Sequence, residues 1–548
     1  MQCGVLRCFK RRIQRTDYPI EEKGRTGAAA SGGMSTLPGK RGRTMQNHVL
    51  DYLDATVKRV PDKLAFADEE VQYTFRELDT IIKNTASCLA EKGYYKEPVI
   101  VFMKKSPRTI ATFFSIIDAG CFYVPIDEEM PAARINLILE NCKPRVLICD
   151  DAMRKAAEKL TFTGEILSFE DIKEHSQDLE KLAEIRGKAI DTDPLYIVFT
   201  SGSTGVPKGV CACHRSVLDY IEQLSEVLSF NEDTVFGNQT PLYFDACLKE
   251  LYPTLKFGAT TYLIPHKYFM FPVKLVEYMN EKKINTICWV VSALTMISAF
   301  KTFDTVTPKY LHTVAFGSEV FPIKQFKMWR EVLPAAKFFN LYGPTEGTGM
   351  CCYYPVTREF ALDEAIPIGR PFKNTEILLL NEKDEPAADG EEGEICIRGT
   401  SVTLGYYNNW EKTKECYVQN PLNKAYPEII YRTGDIGRKN QYGELMFVSR
   451  KDYQIKHMGH RIELGEIEAN VNLLPGIKLS GCVYDDANQK IVLYFVGDME
   501  AAELTKTLRD KLPRYMLPNK IKKLESMPFT ANGKINRKLL KQWVLEGM

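Results

Sequence analysis

The chain reads as a layered α/β protein. A large N-terminal domain of layered α/β subdomains, with a small β-rich subdomain, is followed by a small α+β C-terminal domain. Three observations predict this. From Met45 onward, short apolar runs alternate with helical periodicity, the pattern of parallel strands joined by crossover helices. Runs of strand spacing with glycine turns gather at Ile366–Pro371 and Gly393–Tyr407. After Asp452 the pattern changes to helix, strand and helix, over a length that can fold alone. The expected division is 1–44, 45–451 and 452–548.

The elements follow in order. His48–Lys58 has amphipathic helical spacing, and Lys63–Phe66 reads as a strand. Tyr73–Leu78 leads into a helix ending near Lys92. Pro98–Phe102 reads as a strand, Thr109–Ala119 as a helix, and Gly120–Asp127 as a buried strand with a turn. Val217, Leu218, Ile221, Leu224 and Leu228 recur at helical spacing. Ile284–Val291 and Val314–Glu319 read as strands, the second ending in a glycine turn. In the last domain, Ile462–Leu474 and Glu503–Leu512 have helical patterns and Lys490–Val496 a strand pattern.

Composition narrows the function classes. The 548 residues carry a net charge of +1, with 45% hydrophobic and 26% charged residues, so no global field favours nucleic acid or an anionic membrane. No apolar run approaches the roughly 18 residues of a membrane helix. A cytoplasmic location without nucleic-acid or membrane partners is expected. The fifteen cysteines are scattered, as in a reduced compartment, and read as buried free thiols. Residues 1–44 hold ten Lys/Arg against three Asp/Glu, with no apolar core for a secretory signal; this basic leader is expected to be disordered.

The sharpest stretch is Leu195–Val210, LYIVFTSGSTGVPKGV. A buried strand runs into Thr200-Ser201-Gly202-Ser203-Thr204-Gly205, followed by Pro207-Lys208-Gly209. Such a loop offers free backbone N–H groups and hydroxyls with little bulk, and Lys208 adds positive charge, so it suits phosphate oxygens. It is not a Walker A loop, since Pro207 stands where the second glycine belongs and Gly209 follows the lysine. The second signal is Phe338–Glu346, FFNLYGPTE. The ring of Tyr342 can stack on a base, Gly343-Pro344 turns the chain, and Thr345 and Glu346 project oxygen ligands suited to Mg²⁺. Asp245, in PLYFDAC, is a carboxylate among apolar neighbours. It reads either as a helix N-cap or as the partner of a cation.

These motifs resemble the adenylate-forming enzymes: acyl- and aryl-CoA ligases, luciferases and the amino-acid adenylation domains of nonribosomal peptide synthesis. The likeness covers Met45–Trp543, including YTFREL and AGCFYVPID as scaffold blocks. It implies a freestanding amino-acid adenylating ligase of the peptide-synthetase or D-alanine–carrier-protein type, with ATP and Mg²⁺ as cofactors. The resemblance assigns ATP binding to Thr200, Ser201, Gly202, Ser203, Thr204, Gly205, Lys208, Gly317, Ser318, Glu319, Asn340, Leu341, Tyr342, Gly343, Thr345, Asp435, Arg450 and Lys534. It assigns the metal to Glu346 and catalysis to Lys534, Thr200 and Glu346. Asp435 of TGD is the expected ribose ligand and Lys534 of NGK the expected contact to the substrate carboxylate and α-phosphate. Asn536 replaces the aspartate that commonly follows. Asp452 is the expected hinge of a mobile C-terminal domain.

By the same likeness, the aspartate of FDA holds the α-ammonium of an amino acid, and the pocket is lined by Asp245, Ala246, Lys249, Cys288, Val314, Phe316, Leu341, Gly349 and Met350. Lys249 stands where an apolar or aromatic residue is common. Either it meets an acidic or hydrogen-bonding substrate side chain, or it points to solvent beside a small apolar pocket; FDACLKELYPTL is also similar to the D-alanine-activating enzymes. The implied partners are an amino acid and a separate phosphopantetheinylated carrier protein, with the chain a monomer. Two alternatives stand beside this reading: a CoA ligase in which Asp245 is structural, and a non-enzymatic ATP-binding scaffold.

Overall fold

Two large sheets share one core. A seven-stranded sheet runs in the order Gly405–Tyr406, Lys208–Cys213, Pro194–Thr200, Phe122–Pro125, Pro98–Phe102, Val146–Cys149 and Glu165–Ser168, with its last five strands parallel. A nine-stranded sheet has a parallel centre that includes Thr286–Val290, Thr313–Gly317 and Lys337–Tyr342, and antiparallel edges. Helices Phe75–Glu91, Pro107–Asp118, His214–Leu228 and Leu248–Phe257 fill the space between them, and residues of both sheets meet in one apolar cluster. A five-stranded antiparallel sheet follows, then a hairpin, Gln454–His457 with His460–Glu463, and a three-stranded sheet packed by Leu464–Asn472 and Ala501–Arg509. The computed structural model describes residues 46–202, 205–530 and 535–547; the leader 1–44 lies outside them. The mixed α/β fold class stands as predicted.

Local sequence explains where the elements start. Thr74 caps Phe75–Glu91: its hydroxyl accepts from the Glu77 N–H, and Glu77 accepts from the Thr74 N–H, the reciprocal pair that T-x-x-E encodes. Ser106 caps Pro107–Asp118, with the proline in the first turn where no N–H is needed. Leu248–Phe257 stops at Gly258, whose φ of +69° suits glycine.

Three elements differ from expectation. The helix expected at Ile462–Leu474 begins only at Leu464, because His460–Glu463 pairs as a strand with Gln454–His457. The helix expected near Val217 begins at His214. The expected β-rich subdomain gives both its ends to the large sheets: Arg370–Pro371 joins the nine-stranded sheet, and Gly405–Tyr406 pairs with Val210 and Cys211. The described cysteines are free, and all but Cys416 are buried. Among the described residues no helix is long and apolar enough to cross a membrane.

His48 and His214 are buried against each other, ring centroids 4.2 Å apart and planes tilted by 34°. Burial, with the Arg186 charge nearby, pushes His214 down to about 3 and His48 well below the ordinary value. The folded protein keeps both neutral while the unfolded chain protonates near pH 6.5. Stability is therefore full above that pH and falls on acidification, at most by ~1.4 kcal/mol per pH unit per imidazole. The thermal midpoint is expected to drop by several degrees between about pH 7.5 and about pH 5.5, and His214→Phe to remove a large part of that slope. A midpoint insensitive to pH across this range contradicts the assignment.

Candidate active site

The loop after Pro194–Thr200 is held at its ends. Thr200 lies opposite Lys208 in the antiparallel register of the two strands, so the loop closes over a fixed base. Gly202 has no room for a side chain: a Cβ would stand 2.1 Å from the Val206 carbonyl oxygen. Gly205 turns the chain at φ +86° and donates to the Gly202 carbonyl at 3.0 Å. Thr200 Oγ1 is buried and has no partner among the described residues. Ser203, Thr204 and Lys534 lie outside the described residues.

Glu346 sits in the short turn Thr345–Gly347, one turn past the strand Lys337–Tyr342, with 0% exposure. The Tyr406 hydroxyl donates to its Oε1 at 2.7 Å, and Arg461 Nη1 donates to Oε2 at 2.6 Å. Lys208 Nζ stands 4.0 Å from Oε1. Burial pushes this carboxyl up, but Arg461, Lys208 and the Tyr406 hydroxyl outweigh it and hold the group at about 2. Lys208 is only 7% exposed. Burial, reinforced by Arg461, draws its ammonium below the usual lysine range, against the pull of Glu346 and Glu463. It pairs with Glu463 at 3.2 Å.

The expected nucleoside residues also meet. Asp435 receives the Tyr342 hydroxyl on Oδ2 and Arg450 Nη1 on Oδ1, both at 2.5 Å. Arg450 also grips Asp452 with two parallel bonds, 2.6 and 2.8 Å. Lys456 Nζ lies 5.6 Å from the Tyr342 ring centroid. Glu319 accepts the Ser292 N–H at 2.7 Å and the Gly459 N–H at 2.9 Å, beside Ser318 at φ +69°. Asn340 spends its amide on the Pro367 carbonyl, at 2.9 Å. Gly317 and Gly343 allow close backbone approach: a Cβ would stand 2.3 Å from the Leu341 oxygen and 2.5 Å from the Gly349 oxygen respectively.

On the other side of the Thr345–Gly347 turn lies Asp245, 9% exposed. It does not cap the helix that follows: it is already inside the turn Asp245–Cys247, with no cap bond, so the N-cap reading fails. Burial raises its carboxyl, against the Lys249 charge, the Thr345 hydroxyl and the Gly349 backbone N–H. Its Oδ2 has no partner among the described residues. Lys249 is 4% exposed, which removes the solvent-facing reading. It makes no ion pair within 4 Å among the described residues. Glu250 beside it is pushed up to about 7 by burial, with Lys249 and Lys105 pulling down.

The pocket residues divide at the strand Thr313–Gly317. Cys288, Leu341 and Met350 share an apolar cluster with Tyr220, Leu248 and Ala315. Val314 and Phe316 do not join them. They face the opposite side of the strand, where the Phe316 ring packs 5.0 Å from Phe321 and 6.1 Å from Phe326. Strand alternation gives Ala315 the place expected for them.

Sequence reasoning missed five residues of the site: Arg134, Tyr406, Arg461, Glu463 and Glu466. Glu466 is fully buried, ion-paired with Arg134, and accepts the Gly202 N–H at 3.1 Å. The Ser201 hydroxyl donates to the Arg461 carbonyl at 2.9 Å. The available signal was charge at 461 and 463 on one face of a strand, followed by 466 in the first turn of a helix. Their partners lie more than a hundred residues away, so spacing could not pair them. Among the described residues no group of three His, Cys, Asp or Glu forms a metal cluster.

Known proteins place this geometry. Residues 53–407 match the family model of the AMP-binding enzymes. Tyrocidine synthase 1 of Brevibacillus parabrevis is 30% identical over 486 residues, 88% of this chain and 43% of its own length. Bacitracin synthase 1 of Bacillus licheniformis is 31% identical over 496 residues, 89% of this chain and 9% of that protein. The chain thus spans less than half of these relatives. An artificially fused adenylation–PCP di-domain from Klebsiella oxytoca superposes with a TM-score of 0.75 at 22% identity, over 88% of this chain and 95% of that one. A four-domain nonribosomal peptide synthetase bound to AMP and glycine gives 0.66 at 26% identity, over 90% of this chain and 36% of that one. With its loop, turn and buried aspartate in this arrangement, the chain belongs to the AMP-binding enzyme family.

Proposed function

We propose that the chain is an adenylate-forming ligase that activates an amino acid as its aminoacyl adenylate and hands the acyl group to the phosphopantetheine thiol of a carrier protein. One observation carries the reading. Two neighbouring residues of a single turn face two different chemistries: Thr345 lies beside the buried Asp245, and Glu346 lies beside Lys208. An ammonium partner and a set of phosphate partners therefore stand side by side.

In the first step the α-ammonium pairs with Asp245, whose Oδ2 is otherwise unpartnered among the described residues. A substrate carboxylate oxygen attacks the α-phosphorus of ATP, and the bond to the β-phosphate oxygen breaks, releasing pyrophosphate. The loop Thr200–Lys208 receives the leaving phosphates on its N–H groups, hydroxyls and ammonium. Asp435 accepts the ribose hydroxyls, Arg450 orients Asp435, and the Tyr342 ring packs on the base. Lys534 neutralises the attacking carboxylate. The ionised Glu346 and the unpartnered Thr200 Oγ1 suit a hard cation; magnesium bound there would neutralise charge on the triphosphate. In the second step the carrier thiol attacks the acyl carbonyl and AMP leaves, after the segment 452–548 turns about Asp452.

The buried Lys249 points to a substrate side chain that accepts hydrogen bonds or carries negative charge, because an ammonium enclosed without an ion pair is costly. A coenzyme A ligase is the second reading, and it has lost the N-cap role for Asp245.

Amino-acid-dependent ATP–pyrophosphate exchange over the proteinogenic L-amino acids, D-alanine and aryl acids tests the proposal. Exchange with one amino acid is expected, falling by roughly 100-fold or more in Lys208→Met. Exchange with aryl or fatty acids alone would favour the coenzyme A reading. For the substrate class, Lys249→Met is expected to cut exchange with the preferred acidic or amide amino acid by about 100-fold and to raise it with an apolar one. A wild-type panel without any exchange from acidic or amide side chains contradicts that assignment.

A further inference from the structure

The buried charges around Asp245 are more numerous than an α-ammonium site needs. Lys249 and Glu250 are consecutive on the helix Leu248–Phe257, 4% and 0% exposed. Glu250 Oε2 accepts the Asn238 amide at 3.3 Å, while its Oε1 is enclosed without a partner among the described residues. Lys105, just past the strand Pro98–Phe102, donates to the Asn238 and Gln239 carbonyls at 3.2 and 3.0 Å. Burial draws its ammonium down to about 8, against the pull of Glu250, Cys247 and Glu128. The charge of Glu250 is also felt at the pocket wall. The Cys288 thiol is raised by burial and then by Glu250, with Lys249 opposing. The Tyr220 phenol is raised by burial and then by Cys288, Asp245 and Glu250. Its hydroxyl has no partner among the described residues, and a Cβ on Gly349 would stand 3.4 Å from it.

We propose that Glu250 is a specificity-determining residue of this pocket, selecting an amino acid with a side-chain carboxamide over the matching carboxylate. The inference rests on reading the pocket as an amino-acid site and names the side chain it takes. A carboxamide offers an oxygen to the Lys249 ammonium and an N–H to Glu250 Oε1, so one planar group satisfies both buried partners. A carboxylate offers only acceptors: one oxygen suits Lys249, and the other would stand against Glu250. Charge balance agrees. The α-ammonium offsets Asp245, while Lys105 and Lys249 offset Glu128 and Glu250. An uncharged side chain therefore leaves the site neutral, and a carboxylate adds one buried negative charge. The selection has a pH dependence. Burial raises the Glu250 carboxyl to about 7, with Lys249, the Asn238 amide and Lys105 pulling down. Above that value the carboxylate accepts the carboxamide N–H; below it the protonated group donates to a substrate carboxylate instead.

The ratio of kcat/KM for L-glutamine over L-glutamate, and for L-asparagine over L-aspartate, in ATP–pyrophosphate exchange tests this, because pH effects common to both members of a pair cancel. In the wild-type chain the better pair is expected to favour the amide at about pH 8, with the ratio falling roughly tenfold or more on acidification to about pH 6. Glu250→Gln is expected to lower the ratio at about pH 8 by about tenfold and to flatten its pH dependence. A purely structural Glu250 would lower exchange with both members alike and leave ratio and slope as in the wild type, which overturns the selection. The wild-type slope decides the matter if the variant does not fold: a ratio flat across this range, or one favouring the carboxylate at about pH 8, overturns it as well. Exchange confined to apolar amino acids overturns it while the adenylation reading stands; exchange with no amino acid removes both.

Discussion

Lys208 and Glu346 are opposite charges taken almost wholly out of water, 4.0 Å apart, and much of the molecule is arranged to keep both partnered. Each is costly alone in the interior, and their mutual attraction is only part of the compensation. The rest comes from three distant pieces of chain. The Thr200–Lys208 register delivers the lysine. The short strand Gly405–Tyr406 leaves the β-rich region, pairs beside Lys208–Cys213, and brings the Tyr406 hydroxyl to Glu346. The hairpin of Gln454–His457 with His460–Glu463 adds Arg461 and Glu463.

The same constraint explains why the segment 456–466 makes polar contact so deep in the site. From Lys456 at the Tyr342 ring, through Gly459 at Glu319, to Glu466 at Gly202, one segment crosses every part of the expected nucleotide site. Arg450, tied to both Asp435 and Asp452, links the expected ribose ligand to the expected pivot.

Much of this was legible in the sequence where the physics is local. T-x-x-E announced a capped helix at Thr74, alternating apolar runs announced the layered sheets, and the glycine-rich loop and YGPTE turn stood out as the expected site. Where the physics is long-range, the sequence was silent. Glu346 is carried by a motif, but its partners Tyr406 and Arg461 are strand residues whose side chains matter only once two sheets and a hairpin have converged. Ile462 looked helical because the apolar residues that follow it continue at helical spacing, while its pairing with Ile455 made it a strand. Val314 and Phe316 were misplaced by one residue, which in a strand means the opposite face. Lys249 was open to two readings because burial is a property of the fold, and its 4% exposure removes the solvent-facing one.

One exchange of partners at Lys208 and Glu346 underlies the proposed chemistry. A crystal structure with magnesium and a non-hydrolysable ATP analogue examines it directly. Triphosphate oxygens are expected on the loop Thr200–Lys208, with the Lys208–Glu463 and Glu346–Arg461 pairs broken and the segment 454–466 withdrawn. A triphosphate seated on the loop with both pairs intact would contradict that exchange.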